Sequence, residues 1–376
     1  MKRAAKVSKD GKPLTTRARW ARRVGWTLLV VAVLLVILDF TASPLVRSIT
    51  NRKLAGLEKY TGHVDRVKVS IWRVHCEVDG MVFQRRGDDG PPLAQFKKGL
   101  FKLSFLSLLT GKLRASVVVD DLQVICVKSI VTPKVKSPKN IVRVPEPATE
   151  FSDDIFHRSF PIELTTIELK DSSVCYLDRS RTPAAEIMIE QLHVVATGLL
   201  SKPTADSEMP ATITATAMTP GHGHLNLRIQ ANPTADSPRF YVQLALSDLS
   251  LPEINPLLLN YGKIEVAKGT LGFETEITAA RGTYTGYVKP TLKDLDYKIA
   301  NVDHTNSIQV LSRRVFAAVR SIFYHKDEVD VAAKAPFSGT IEPTNAELWM
   351  TIASVVRKAL SQGLRDSFRV ETPSNA

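Results

Sequence analysis

The chain has 376 residues, 44% of them hydrophobic, and a formal net charge of +12, so it is long enough to bury a large core. Residues 1–23 hold nine Lys or Arg against one Asp, which leaves only +4 for the remaining 353 residues. The excess positive charge therefore belongs to the N-terminal tail. It does not indicate a nucleic-acid-binding face on the rest of the chain, and no nucleic-acid partner is predicted.

An apolar run follows this tail. Val24–Leu38 contains no charged side chain, and its extension to Phe40 spans 17 residues, about 26 Å of helix. The basic residues before it predict a cytoplasmic N-terminus. A cleaved signal peptide and a buried core helix are the alternatives, although Pro44 directly after Thr41–Ser43 makes a poor cleavage site. We predict a basic cytoplasmic tail at 1–23 and one uncleaved transmembrane helix at 24–40.

The next region, 43–128, begins with a predicted membrane-proximal helix. Ser43 suits an N-cap and Pro44 a first-turn position, and Thr61-Gly62 would end the helix. Such a helix either lies on the outer leaflet or plugs the end of a sheet. From His63 onward, alternating or β-branched residues predict a first β segment. Its strands are expected at Val67–Ile71, Val74–Phe83, Val117–Val119 and Leu122–Val127, with Leu100–Gly111 as a strand running into a short helix.

Residues 129–150 are rich in Pro and Lys and predict a linker or loop with a soft domain boundary. In the region 151–370, strands then follow one another with only turn residues between them, which predicts an antiparallel meander without a parallel crossover. These strands are expected at Ile162–Leu169, Ser173–Leu177, Glu186–Thr197, Pro210–Met218, Gly223–Gln230, Arg239–Ser247, Lys263–Thr278, Gly282–Lys289, Leu295–Ile299 and Glu328–Ile341. Helices are predicted at 252–261, 307–323 and 345–364, the last two amphipathic. The fold class is α+β and mostly antiparallel β, a long twisted meander with a groove-like sheet.

One face of this meander is apolar. Ala211–Met218 and Phe240–Ser247 alternate strictly between apolar and polar residues. The apolar face has to be covered, either by helices in a closed core or, where it stays open, by lipid acyl chains. Alternation does not choose between the two. The candidate lipid-groove residues are Ala211, Ile213, Ala215, Ala217, Leu225, Leu227, Phe240, Val242, Leu244 and Leu246.

Catalytic motifs are not found. Leu106–Lys112 ends in Thr-Gly-Lys but has no leading Gly, so it is not a P-loop. His222 and His224 lie in a Pro-Gly turn without a third ligand nearby in sequence and are interpreted as turn residues. Four carboxylates alternate with apolar residues and are assigned to the solvent-exposed side of strands: Glu163, Glu168, Asp171 and Asp178. We therefore predict no catalytic, cofactor-binding or metal-binding residues, and no enzyme.

The three cysteines, Cys76, Cys126 and Cys175, stand in apolar surroundings. We interpret them as small buried hydrophobic residues. A disulfide between Cys76 and Cys126 stays open as an alternative in an oxidising compartment, although an odd count with wide spacing argues against a disulfide framework.

Several motifs in the second half, taken in order, resemble the AsmA-like superfamily, in its bacterial branch known as domain of unknown function 748. They are Pro161–Asp178, Leu249–Tyr261, Val266–Leu271, Gly282–Pro290 and Ala335–Ile341; Ser172-Ser173 stands where the family usually has Gly. The resemblance implies a single-pass protein of the bacterial inner membrane with its body in the periplasm. It also implies a twisted β-groove like those of bridge-like lipid transfer proteins, and no catalytic residues.

The resemblance makes membrane lipid, through its phospholipid acyl chains, the expected partner. Binding or transfer of lipid in maintenance of the cell envelope is then the expected function. The alternative is a non-enzymatic assembly or scaffold protein with a closed core that binds other envelope proteins. About 15 to 18 predicted strands would stack to roughly 70–85 Å, less than the width of a periplasm, so a complete bridge is not expected.

Overall fold

The computed structural model describes residues 16–57, 59–70, 74–87, 90–104, 113–128, 162–180, 184–199, 208–232, 235, 237–262, 264–299, 334–341 and 348–367. The linker predicted at 129–150 and the helix predicted at 307–323 lie outside these residues. In the described part, twelve strands form one open sheet whose spatial order is their order in the sequence. The prediction of a mostly antiparallel β-meander is confirmed in this form.

A single long helix, α1 (Thr16–Ala55), occupies the region in which two helices were predicted. Pro44 lies inside it, and Ser43 does not begin a new helix, because its Oγ accepts a hydrogen bond from Val69 N at 3.0 Å. The pair Thr61-Gly62 belongs to the first strand, so the predicted helix end there is wrong. Among the described residues, no helix is long and apolar enough to cross a membrane, and the transmembrane helix stays a prediction from the sequence.

The strands of the sheet are 6 to 17 residues long. They are β1 (Tyr60–Ser70), β2 (His75–Arg85), β3 (Ala94–Leu103), β4 (Leu113–Lys128), β5 (Ile162–Asp178), β6 (Ala185–Thr197), β7 (Ala211–Thr219), β8 (Gly223–Asn232), β9 (Arg239–Ser250), β10 (Ile264–Ala280), β11 (Thr283–Ile299) and β12 (Ala335–Thr340). At one end of the strands lie Ser70, Leu103 and Thr197, and we call this row of strand ends the upper edge. At the opposite end of the strands lie Tyr60, Arg85 and Asp178, and we call that row the lower edge.

One neighbouring pair departs from the predicted meander. β4 and β5 run parallel, with Val119 opposite Leu169, whereas all other neighbours are antiparallel. A parallel neighbour needs a connection that returns along the whole strand. The chain between Lys128 and Ile162 is long enough for that return, so the absence of a predicted helix did not exclude a parallel pair.

A line of irregular residues crosses the sheet between its two edges. Asp121 in β4 and Asp171 in β5 lie inside continuous strands with positive φ. The predicted break at Asp171-Ser172, and that between Val119 and Leu122, are therefore wrong. The strand-interior residues with positive φ are Gly80, Asp121, Asp171, Gln191, Asp248, Gly269 and Asp294. Asp and Gly tolerate the left-handed region, and such bulges shift which residues face each side of the sheet.

Below this line the three strands β7 to β9 stop. β6 continues past the end of β7, since Glu190 is opposite Met218, and β10 extends beyond β9, since Thr270 is opposite Ser250. The resulting gap is filled by the segment Leu251–Gly262, which holds a short 3-10 turn and the helix α2 (Asn255–Gly262). Its apolar residues pack with Val266 on one side of the gap and Ile187 on the other.

Asn255 takes the place of the missing strand beside β10. Its Nδ2 donates to Val266 O at 2.7 Å, and its Oδ1 accepts from Val266 N at 2.8 Å. Asn51 of α1 makes the same two bonds to Val64 on the free side of β1, at 3.1 and 2.7 Å. Each asparagine amide thus satisfies a backbone N–H and C=O that no strand reaches, which protects the sheet at both places.

Replacing Asn255 with alanine should lower the free energy of unfolding by about 1–3 kcal/mol, because Val266 N–H and C=O then lose their partners in a buried position. Urea unfolding followed by far-UV circular dichroism would measure it. Asn226→Ala is the matched control, since Asn226 is an exposed asparagine in β8, and a change within about 0.5 kcal/mol is expected there. Equal effects of both substitutions would contradict the role of Asn255.

Candidate functional site

Two rows of side chains cross one face of the sheet through all twelve strands, because residues directly opposite one another in neighbouring strands point to the same side. The first row is Val67, Val78, Gly99, Val119, Leu169, Val194, Ala215, Leu227, Leu244, Thr275, Val288 and Ala335. The second row, nearer the upper edge, is Val69, Cys76, Phe101, Val117, Ile167, Ala196, Ile213, Ile229, Val242, Ile277, Gly286 and Phe337. Neither row contains a charged residue.

The opposite face carries charge at the same level. The row adjacent to these two on that face is Lys68, Glu77, Leu100, Val118, Glu168, Val195, Thr214, Arg228, Gln243, Glu276, Tyr287 and Pro336. Lys68 lies 3.5 Å from Glu77. The sheet is therefore two-sided over most of its strands, with an apolar face that needs covering and a polar face that water can solvate. On β3, β4 and β6 this row of the polar face is itself apolar, with Leu100, Val118 and Val195.

Helices cover the two ends of the apolar face. At the first end, Leu54 of α1 is buried with Val64, Val67 and Phe83. At the other end, the helix α3 (Leu348–Ser367) buries Ile352, Val355 and Ala359 against a cluster of strand residues. These are Ala231, Phe240, Val242, Ile277, Ala279, Tyr284, Val288 and Phe337. The helix predicted at 345–364 thus packs on the sheet as an amphipathic helix should.

Between these ends lies a part of the apolar face that we call the open stretch, the two rows where they cross β3 to β7. None of its side chains belongs to the described apolar clusters at either end or to the one around α2. Phe101, Ile167, Leu169, Val194 and Ile213 are only half-buried there. Large apolar side chains that stay partly exposed side by side on one face of a sheet are typical of a binding surface for an apolar partner.

The structure places the ten predicted groove residues on one face of β7, β8 and β9. Ala211, Ala215, Ala217, Phe240, Val242 and Leu246 are buried, and the other four are half-buried. Phe240 and Val242 belong to the cluster under α3, and Leu227 packs against it. These three side chains are already covered by the protein itself. Ile213 and Ala215 lie in the open stretch.

Sequence reasoning did not find the part of the open stretch that β3 to β6 contribute. Val117–Val119 is apolar on both faces, so it shows no alternation, and the positive-φ residues Asp121, Asp171 and Gln191 shift the period within β4, β5 and β6. The usable signal was Ile167, a large apolar residue between the polar residues Thr166 and Glu168 in a predicted strand.

The cysteines are all free thiols. Cys76 is opposite Phe101, which in turn is opposite Val117 of β4. Cys126 lies nine residues beyond Val117 along β4, about 30 Å away in the strand direction. A disulfide requires Cα atoms within about 7 Å, so the alternative of a Cys76–Cys126 bond is excluded in this fold. Cys175 is buried, as interpreted from the sequence, whereas Cys76 and Cys126 are half-buried.

Cys175 should resist alkylation until strongly alkaline pH. Burial raises the pKa of its thiol to about 11 from an ordinary 9.0, helped by a hydrogen bond of 3.4 Å to the Glu186 carboxylate and by its charge. A raised pKa in the folded state stabilises the protein fully below pH 9 and loses this effect as the pH rises towards 11. Thermal midpoints across that window should therefore fall more steeply for the native chain than for Cys175→Ala; parallel curves would contradict this.

No metal-binding group was predicted, and among the described residues no cluster of three or more His, Cys, Asp or Glu could hold a metal ion. His222 ends a 3-10 turn (Pro220–His222) with φ 65°, and both His222 and His224 are exposed. Asp178 is fully buried and paired with Lys128 Nζ at 3.3 Å. The prediction that this carboxylate lies on the solvent-exposed side of its strand is therefore wrong.

No protein-family model matches the sequence, and the comparison with curated proteins gives no match.

Proposed function

We propose that this chain is a membrane-anchored, non-enzymatic β-groove protein that binds lipid acyl chains along the apolar face of its sheet and helps to transfer them. The observation that carries the proposal is the pair of uncharged rows that continue through all twelve strands. A groove of this kind offers dispersion contacts along its length without selecting a position, which suits a flexible hydrocarbon chain. The resemblance to the AsmA-like superfamily agrees with it.

The membrane anchor belongs to the same proposal. Residues 24–40 form part of α1, and five large apolar side chains described there are exposed, among them Trp26 at 67% and Val36 at 65%. Exposed apolar side chains along a whole helix segment are costly in water and favourable in a bilayer. We place the N-terminus in the cytoplasm and the sheet in the periplasm of a bacterial inner-membrane protein, in a role in maintaining the cell envelope.

The size of the sheet limits the role. The twelve described strands are separated by eleven spacings, which stack to about 53 Å at 4.8 Å each, shorter than the roughly 70–85 Å expected from the sequence. We therefore propose that the chain loads or passes lipid at the inner membrane rather than forming a complete bridge.

The test is lipid analysis of the full chain purified in mild detergent. After gel filtration, mass spectrometry of extracted lipid should find phospholipid in constant ratio to protein. To separate groove lipid from lipid around the anchor, the same measurement is made on variants of the open stretch. A ratio that no such variant changes would refute lipid binding in the groove.

A closed scaffold is the second candidate function. It is favoured by α3, which already covers the apolar face over β11 and β12 and reaches Phe240 of β9. In that case the protein would bind other envelope proteins and retain no lipid. If the purified protein contains no lipid and adding lipid does not change its thermal midpoint, the result would favour this alternative.

A further inference from the structure

The contacts of α1 with the first hairpin fix how the strands stand relative to that helix. Ser43 bonds to Val69, and eight residues later Asn51 bonds to Val64. Eight helical residues rise about 12 Å, and the five strand residues from Val69 back to Val64 span about 16 Å. Helix and strand therefore run side by side in opposite directions.

The same contacts give heights above the predicted end of the anchor at Phe40. Ser43, with the upper end of β1, is three residues or about 5 Å beyond it, and Asn51 about 16 Å. Arg86, which follows β2 at the lower edge, donates to Ala55 O, about 22 Å beyond Phe40. The first hairpin thus stands upright beside α1, with its upper end at the level of the lipid headgroups.

The residues at this upper end suit a lipid surface. Leu45 of α1 is 61% exposed and lies about 8 Å beyond Phe40, within the interfacial zone of a bilayer. The last two residues of β1 to β4 at the upper edge include two cations, Lys102 and Arg114, and no carboxylate. Cations near the headgroups are attracted by anionic lipid.

From this we propose that the upper edge of β1 to β4 rests on the outer surface of the membrane, so that the strands stack along the bilayer and the groove runs beside it. This rests on the anchor of the proposed function. Acyl chains would then enter the open stretch from the membrane along the strand direction, through the upper edge. They would not have to travel along the groove from one end.

The test compares two labels on the same hairpin in the full chain. Ser70→Cys and Arg85→Cys are made in a background with Cys76, Cys126 and Cys175 replaced by alanine, and each carries a fluorophore. The protein is placed in vesicles of phosphatidylethanolamine and phosphatidylglycerol with a nitroxide on part of the headgroups. Ten strand residues separate Ser70 from Tyr60, the partner of Arg85, about 33 Å. We expect strong quenching at Ser70 and its loss at Arg85.

Equal quenching at both positions, or stronger quenching at Arg85, would overturn the proposal. Extraction of the protein from the vesicles at alkaline pH would overturn it together with the anchor. Unequal quenching in a protein whose groove retains no lipid would support the orientation while refuting the proposed function. If the cysteine-free background does not fold, a ketone-bearing amino acid at the same two positions of the native chain carries the label.

Discussion

Replacing Ile213 with glutamate is expected to lower the phospholipid retained by the purified protein at least about tenfold, a loss that needs only about 1.4 kcal/mol. Ile213 is half-buried in the second row, opposite Ala196 and Ile229. In the proposed lipid complex a carboxylate there would face acyl chains without a cation in either row, and burying an unpaired charge costs several kcal/mol. Mass spectrometry of lipid extracted after gel filtration gives the ratio.

Thr214→Glu is the matched control. Thr214 is the next residue of β7, is exposed, and points to the polar face opposite Arg228. The same charge added there should leave the retained lipid unchanged. If Ile213→Glu lowers the thermal midpoint, the uncharged Ile213→Ser replaces it. A folded Ile213 variant that retains as much lipid as Thr214→Glu would show that the open stretch is not the binding surface.

Replacing Phe240 with alanine should lower the free energy of unfolding by about 3–5 kcal/mol. Phe240 has 0% exposure and packs between Ala231 and Ala279 of the neighbouring strands, in the cluster that α3 covers. Small neighbours on both sides leave a cavity that the backbone cannot close without moving strands. Urea unfolding in detergent, followed by far-UV circular dichroism, measures the loss.

Gln243→Ala in the same strand tests whether any substitution in β9 is as costly. Gln243 is exposed on the polar face between Arg228 and Glu276, and a change within about 0.5 kcal/mol is expected. A loss below 1 kcal/mol for Phe240→Ala would mean that α3 does not seal the face tightly. The part of the face over β8 and β9 would then join the open stretch as a lipid-binding surface.

Strands in the middle of the chain could be predicted well, because their sequences alternate and end at clear turns. Ala211–Thr219, Gly223–Asn232 and Arg239–Ser250 differ from the predicted strands by three residues or fewer at each end. Here each strand has one solvent-exposed and one buried face, so its residue composition and its apolar–polar alternation both indicate a strand. The short helix predicted at 252–261 is present as a 3-10 turn, Pro252–Ile254, followed by the helix Asn255–Gly262.

Other features could not be predicted because the local sequence is compatible with two different structures. Asp171-Ser172 is typical of a turn, yet the neighbouring strands hold Asp171 as a bulge inside β5. Ser43-Pro44 is typical of a helix start, yet α1 continues through it. The alternation of apolar and polar residues in β4 and β5 does not indicate that the two strands pair in parallel. Each of these outcomes depends on long-range pairing rather than on local propensity.

The common face of the ten predicted groove residues could be deduced from the sequence, but the extent of the partly exposed apolar surface could not. Ten residues of β7 to β9 were assigned to a groove, and they do share one face. The half-exposed part of that face continues instead towards β3, through residues such as Leu169 and Phe101. Which part a helix covers depends on where α3 docks, and its sequence specifies only that one of its sides is apolar.

The order of the strands has a consequence for how such a chain is made and how it can change. Every described strand pairs only with the strands before and after it in the sequence, so each hairpin can form as soon as it leaves the ribosome or the translocation channel. Inserting one more hairpin between two existing ones would lengthen the sheet by about 10 Å and leave the pairing of all other strands intact. Sheet length is therefore a quantity that duplication of short gene segments can adjust stepwise, as in solenoid proteins.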